Sequence, residues 1–287
     1  MKIAIVGPGA IGSTFAFHLA RAGHDVTVVA RGARLAWLEK ERAIVTTEAQ
    51  RAPVEVSAAL DATTPWDLVL VSVLEHQVDA VLPALRHSAA KQVMFMFNTF
   101  APLDRLRDAV GAHRFVFGFP AILAELKDGK LKAQVIPRSL SAIQLTIVTD
   151  PAWAELFSKA GIPTDTQAEM HDWLRTHAAV VVPVMITANR VHQRGSGLSW
   201  NESREIALGL AEGFALVRSL GHPVTPSNVA VLGKLPAPVT TLGLWLLSRH
   251  PMMASLGGHG PGEARTLIDA MVAAAPARSA RLQSLRP

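Results

Sequence analysis

The sequence predicts an α/β protein: an N-terminal Rossmann-type doubly wound parallel sheet followed by an all-helical C-terminal domain. Three observations predict it. Short β-branched runs alternate with helical stretches from Ile3 to about Val148. A glycine-rich turn follows the first of these runs directly and opens a helix. Past "GIPTD" at 161 to 165, strand-like runs give way to long helical windows. The domain boundary is placed there, giving domains 1–165 and 166–287.

In chain order, the runs expected as strands are "IAIV", "VTVV", "AIVTT", "LVLVSV", "VMFMF", "FVFGF" and "AIQLTIV", with antiparallel strands entering late. Leu68 to Val78, "LVLVSVLEHQV", reads as a buried strand running straight into a helix. The helical windows are roughly 168–193, 201–220, 227–247 and 262–274, separated by the Gly/Pro clusters "LGHPVTPSN" and "SLGGHGPGE". "GSGLS" at 195–199 reads as a loop, Glu202 and Glu205 after Asn201 as helix-start residues, and "APARSARLQSLRP" as a fraying basic tail in preference to a capped helix end.

A chain of 287 residues that is 49% hydrophobic can fill substantial cores. It has no cysteine, which excludes disulfides, thiolate metal sites and a Cys nucleophile, and no tyrosine, which excludes a phenolic proton donor. The 28 basic residues outnumber the 23 acidic ones but are scattered, so a nucleic-acid surface is not expected. No apolar run suffices for a bilayer, and Met1-Lys2 leads directly into "IAIVGPG" without a leader pattern. A cytoplasmic protein handling a small, anionic molecule is the expectation. No metal site is expected, because His171, His177 and His192 lack the short spacing of a zinc helix.

Gly7-Pro8-Gly9-Ala10-Ile11-Gly12 sits between a strand and a helix, the context that gives a GxGxxG pattern its meaning. Gly7 makes the turn, Gly9 lets a diphosphate reach the backbone, and Gly12 lets helix and strand pack closely. The free N–H groups beginning at Ala10 and Ile11 face the phosphates. An acidic residue ending the second strand would select NAD. This sequence has Ala30-Arg31 there, and a guanidinium favours the 2′-phosphate of NADP, with Arg34 as a second cation. The expected cofactor is NADP(H), with NAD as the alternative. Val73, Leu74 and Gln77, after the fourth strand, are placed on the adenine side; the alternative is that Leu74 caps the core.

These segments resemble the ketopantoate reductase (2-dehydropantoate 2-reductase) family. The resemblance lies in "MKIAIVGPGAIGSTFAFHLARAGHDVTVVAR", "VSVLEHQVDAVLPAL", Phe97-Asn98, "DWLRTHAAVVVP" and "ALGLAEGFALVRSLGHPVTP". It implies a nicotinamide-dependent reductase with Asn98 beside nicotinamide and substrate. It also marks departures. Leu74 stands where the family has a lysine that helps hold the phosphate, and Asn98-Thr99-Phe100-Ala101 replaces its "NGxG" turn. Arg175, two residues after Trp173, replaces the catalytic lysine. Ala179 and Pro183 stand for asparagines, Leu267 stands for a glutamate, and Ser255 matches a family serine.

Arginine is a poor acid, so Arg175 would orient a carboxylate or stabilise an oxyanion. The candidate catalytic set is Asn98, Arg175 and Ser255. His177 and His259 are further candidates for the proton donor, although helical spacing puts Arg175 and His177 roughly 200° apart. The expected protein is an NADP-dependent oxidoreductase acting on a CH–OH or C=N group of a small carboxylate-bearing compound other than ketopantoate. Its helical domain would hold substrate and a homodimer contact. The alternatives are a non-catalytic NADP(H)-binding regulatory protein and a true 2-dehydropantoate 2-reductase with an atypical site.

Overall fold

The structure, a computed structural model, describes residues 1–140, 145–258 and 261–287. The chain forms two compact units, one of residues 1–98 and 103–170 and one of residues 99–102 and 171–287.

The first unit is built on an eight-stranded sheet. Its strands are β1 (Lys2–Val6), β2 (Asp25–Val29), β3 (Glu55–Ser57), β4 (Leu68–Val71), β5 (Val93–Met96), β6 (Phe115–Phe119), β7 (Thr146–Val148) and β8 (Thr164–Thr166). They lie in the order β8-β7-β6-β5-β4-β1-β2-β3. The strands from β3 to β6 thus run 3-2-1-4-5-6 and pair in parallel, the doubly wound arrangement. β7 then joins β6 antiparallel, as the late antiparallel expectation had it, and β8 pairs with β7 in parallel. Ile3, Ile5, Val28, Leu68 and Leu70 are fully buried, as strands covered on both faces must be. The helix α1 (Ala10–Arg21) follows β1 and contributes Phe15 and Leu19 to the same core; α2 (Gly32–Glu41) follows β2.

Several expectations are corrected. "AIVTT" is not a strand of the main sheet: Ala43–Val45 pairs antiparallel with Arg51–Pro53 in a separate two-stranded sheet. The two threonines are spent on the turn, where the Thr46 N–H donates to the Gln50 carbonyl (2.9 Å) and Ala49 takes φ 61°. The main sheet recruits Glu55–Ser57 instead. The passage out of β4 is a 3₁₀ segment, Glu75–Ala80, before an α-helix at Leu82–His87. An unanticipated hairpin, Ile122–Lys127 with Lys130–Val135, turns on Asp128-Gly129, both at positive φ. Positions 142–144 of "AIQLTIV" lie outside the described residues.

In the second unit the long helix α3 (Met170–Arg194) packs on α4 (Trp200–Ser219). A Cβ on Gly213 would come within 3.1 Å of the Ala179 Cβ, so small residues set that approach. Glu202 is a helix-start residue as read from the sequence, and its partner in a capping box is Ser199, the last residue of the stretch read as a loop. The single helix expected over 227–247 is two, Ser227–Leu232 and Ala237–Leu247, because Pro236 and Pro238 cannot donate to a continuous helical ladder.

The C-terminus is a docked element and not a fraying tail. Residues Ala280–Ser284 form a helical turn whose Leu282 is fully buried. Leu285 fills the space over Gly209 that a Cβ would need. Glu212 accepts the N–H of Leu282 at 3.0 Å, and Arg286 forks onto Asp269 at 2.6 and 2.9 Å. Leu282→Ala is therefore expected to destabilise the protein by about 2–5 kcal/mol in urea unfolding, whereas a frayed tail would leave it within about 0.5 kcal/mol.

Candidate functional site

The glycine-rich loop leaves β1 and heads α1. Gly7 takes φ 84°, its N–H donating to the Val29 carbonyl at 3.1 Å. A Cβ there would meet Val73 Cγ1 at 2.5 Å. Gly12 is more tightly enclosed: a Cβ would fall on the Ser72 hydroxyl and lie 2.6 Å from the Gly7 carbonyl. The Ser72 hydroxyl donates to that same carbonyl at 2.9 Å. Gly9 differs, with nothing within 4 Å of the position its Cβ would take. Two glycines are filled by protein and one faces open space, the pattern of a backbone left bare for a ligand.

Gly9 is also the N-cap of α1, with no side-chain cap and no acidic residue in the first turn. The orphan N–H groups at Ala10, Ile11 and Gly12 and the positive end of the helix are left for an anion. β1, β2, β4 and β5 are parallel, so their C-terminal ends share one edge of the sheet. That edge brings together the loop, Arg31, Val73 and Asn98.

Arg31 is exposed at the N-cap of α2. Arg34 is not a second surface cation. Its Nε donates to the Pro8 carbonyl (2.9 Å), one terminal nitrogen to the Gly129 carbonyl (2.6 Å) and the other to the Ser13 hydroxyl (2.9 Å). Burial pushes its guanidinium down to about 10, so it stays charged at neutral pH. Leu74 does not cap the core, being 56% exposed, because the backbone turns extended there before the 3₁₀ segment. Gln77 is exposed too, its amide oxygen accepting the Leu74 N–H at 3.2 Å. Asn98 follows β5 with its Oδ1 buried.

Arg175 and Ser255 lie in the second unit. Arg175 is buried, its guanidinium 5.1 Å from the Phe100 ring centre and its Nε donating to His171 Nε2 at 3.0 Å. That bond requires His171 Nε2 to be unprotonated. Burial lowers the Arg175 pKa, and the Asp172 carboxylate opposes the shift. Asp172 is itself 2.5 Å from His222 Nδ1, a pairing no local motif announced. Ser255 is exposed in the short helix Pro251–Gly257. Ala179 and Leu267 are fully buried in the core of this unit. His177 stacks on Trp173, ring centres 4.7 Å apart, away from the Arg175 bond. Its Nε2 is sealed from water, and burial pushes its pKa down to about 3. His259 lies outside the described residues. Among the described residues no three carboxylate or imidazole groups are placed to hold a metal, and no helix is long and apolar enough to cross a membrane.

Residues 3–138 match the family model described as "Ketopantoate reductase PanE/ApbA". A 2-dehydropantoate 2-reductase from Vibrio cholerae is 31% identical over 137 residues, 46% of this chain and 42% of that protein. The match therefore spans less than half the length of that relative. In fold, the chain is similar over its whole length to a PanE/ApbA family ketopantoate reductase from Ralstonia eutropha JMP134, with TM-score 0.75, 20% identity and coverage of 96% of that chain. It is also similar to D-mandelate dehydrogenase in a ternary structure with NADH and anilino(oxo)acetate, with TM-score 0.69, 16% identity, 100% of this chain and 96% of that chain. The resemblance to the ketopantoate reductase family thus holds in sequence over residues 3–138 and in fold throughout.

Gly12→Ala is expected to cost about 1–3 kcal/mol in chemical denaturation, since the carbonyl it meets is backbone and cannot move aside, while Gly9→Ala leaves stability unchanged. A second expectation concerns His177. Its folded pKa lies below its unfolded value of 6.5, so between those pH values the unfolded chain holds a proton the folded chain does not. Stability from this group is complete above pH 6.5 and is lost as pH falls, by up to about 1.4 kcal/mol per pH unit. Urea midpoints measured from neutral to acid pH should show the slope, and His177→Phe should flatten it.

Proposed function

We propose that this chain is an NADP-dependent oxidoreductase that reduces a keto or imine group of a small carboxylate-bearing compound other than ketopantoate. The observation that carries the reading is the contrast among the three glycines: Gly7 and Gly12 are occupied by protein, while Gly9 opens an uncapped helix end. Diphosphate is the ligand such a backbone suits. Arg31, at the end of β2 where no carboxylate competes, supports the 2′-phosphate and hence NADP. When bound, the nicotinamide supplies the hydride. The chain's own residues bind and orient: the N–H groups from Ala10 to Gly12 take the diphosphate, and Asn98 places the ring.

Arg175 supports a carboxylate-bearing substrate. Its Nε is taken by His171, and among the described residues its two terminal nitrogens make no hydrogen bond. A planar pair of N–H donors is what a carboxylate accepts. A substrate less polar than ketopantoate is supported by Ala179 and Leu267, which stand in apolar core where the resemblance leads one to expect amide and carboxylate groups. A similarly folded protein whose ternary structure holds anilino(oxo)acetate, a carboxylate bearing an aromatic ring, points the same way.

The second reading, a non-catalytic NADP(H)-binding regulatory protein, is favoured by the state of the proton donors. Arg175 is a guanidinium and so no proton donor, and His177 is neutral near pH 7 with a buried Nε2. The third, a 2-dehydropantoate 2-reductase with an atypical site, rests on the family resemblance alone. A panel of 2-oxo acids and imines, with loss of reduced nicotinamide as readout, separates them: turnover on an apolar oxo acid supports the first, binding without turnover the second, and turnover on ketopantoate the third. In direct titration NADPH should bind more tightly than NADH. Arg31→Asp should remove about 10–100-fold of NADPH affinity, the value of a lost charge-assisted bond, and leave NADH bound as well or better, since a carboxylate there accepts from the ribose hydroxyls. An unchanged preference would overturn the cofactor assignment.

A further inference from the structure

We infer that Arg34 is a positioning residue that fixes the shape of the dinucleotide loop from behind, and is not a ligand of the 2′-phosphate. The inference rests on the NADP reading above for its ligand, and on the loop's geometry for everything else.

From the first turn of α2, the guanidinium reaches three elements at once. Nε meets the Pro8 carbonyl in the loop, and the terminal nitrogens meet the Ser13 hydroxyl in the first turn of α1 and the Gly129 carbonyl at the tip of the hairpin. The Ser13 hydroxyl donates to the same Pro8 carbonyl at 2.9 Å, so that oxygen takes two donors and the three groups form a closed ring. A carbonyl swung toward a diphosphate would repel it, and Pro8 has no N–H to offer in exchange. With its oxygen held on the Arg34 side, the loop presents the N–H groups that follow Gly9.

The clamp is itself held. Trp37 lies across the guanidinium at 4.8 Å, and its indole fills the space over Gly129 that a Cβ would need. Gly129 takes φ 79°, so the hairpin's tip is shaped to bring its carbonyl to Arg34. Ser13 is fully buried with no solvent to replace a lost partner. The rigid planar fork of arginine suits three fixed acceptors in a way a single ammonium does not.

The test uses the full chain and the variants Arg34→Met, Arg34→Lys and Ser13→Ala, titrated with NADPH and with NADH. Arg34→Met is expected to weaken both nucleotides alike, by tenfold or more, leaving their ratio at the wild-type value. Arg34→Lys should fall in between, and Ser13→Ala, which keeps the charge and removes one acceptor, should lose both nucleotides to a smaller, equal extent. Hydrogen exchange in the nucleotide-free protein provides a readout independent of the cofactor: the amides of Gly9 and Ser13, bonded to Gly7 and Gly9 carbonyls at 2.7 and 2.9 Å, should exchange faster in Arg34→Met. Should that variant not fold, Ser13→Ala carries the same readouts. Selective loss of NADPH would make Arg34 a phosphate ligand and overturn the inference, as would unchanged affinity or unchanged exchange. If wild-type protein bound neither nucleotide, the cofactor reading would fail, and the exchange measurement would still decide the clamp.

Discussion

The close approach of α1 to the end of β4 is the constraint on which the first unit depends. Gly12 permits it, since any Cβ would displace the Ser72 hydroxyl and press on the Gly7 carbonyl. With the helix that near, the Ser72 hydroxyl can bond to the turn of the loop, tying β4 to β1 at the same point where their parallel pairing ends. The helix N-terminus is then held at the carboxyl edge of the sheet, where a doubly wound fold places its ligand. Phe15 and Leu19, further along α1, fill the core because that first turn sets the helix's direction.

The second unit obeys a similar rule of small residues, with a different chemical result. Ala179 and Gly213 let α3 and α4 approach, and Gly209 admits Leu285 from the C-terminal turn. Positions that could carry an amide or a carboxylate are thereby given over to close packing. The polar groups that remain collect at the start of α3, where Arg175, His171, Asp172 and His222 are linked by two hydrogen bonds and a ring contact. Each orients the next, so Arg175 is held in place by a network and not merely by burial.

What could be read in the sequence was what short-range chemistry decides. The glycine motif was legible because the strand before it and the helix after it are contiguous with it, and Glu202 was legible as a helix-start residue, although its cap Ser199, three residues earlier, was assigned to the preceding loop. The hairpin had a readable signal, Asp128-Gly129 between alternating runs, that the strand-by-strand reading passed over. The exchange of Ala43–Val45 for Glu55–Ser57 as the third strand was not readable in the same way, since both are short β-prone runs and only the turn at Thr46 to Gln50 separates them. Arg34 shows the limit most clearly. Its nearness to Arg31 suggested a shared ligand, yet its partners include Gly129, 95 positions away, which no local pattern could supply.

The inventory of proton donors bears on what chemistry this arrangement can support. Hydride addition to a carbonyl leaves an alkoxide that must be protonated within hydrogen-bond reach. The chain has no tyrosine or cysteine to serve. Burial lowers the Arg175 pKa, with Asp172 opposing the shift, and a guanidinium is not a proton donor in proteins. His177 is shifted in the same direction, to about 3, and is neutral near pH 7 because burial penalises the charged imidazole. A fixed positive charge can still stabilise the developing oxyanion without giving up a proton.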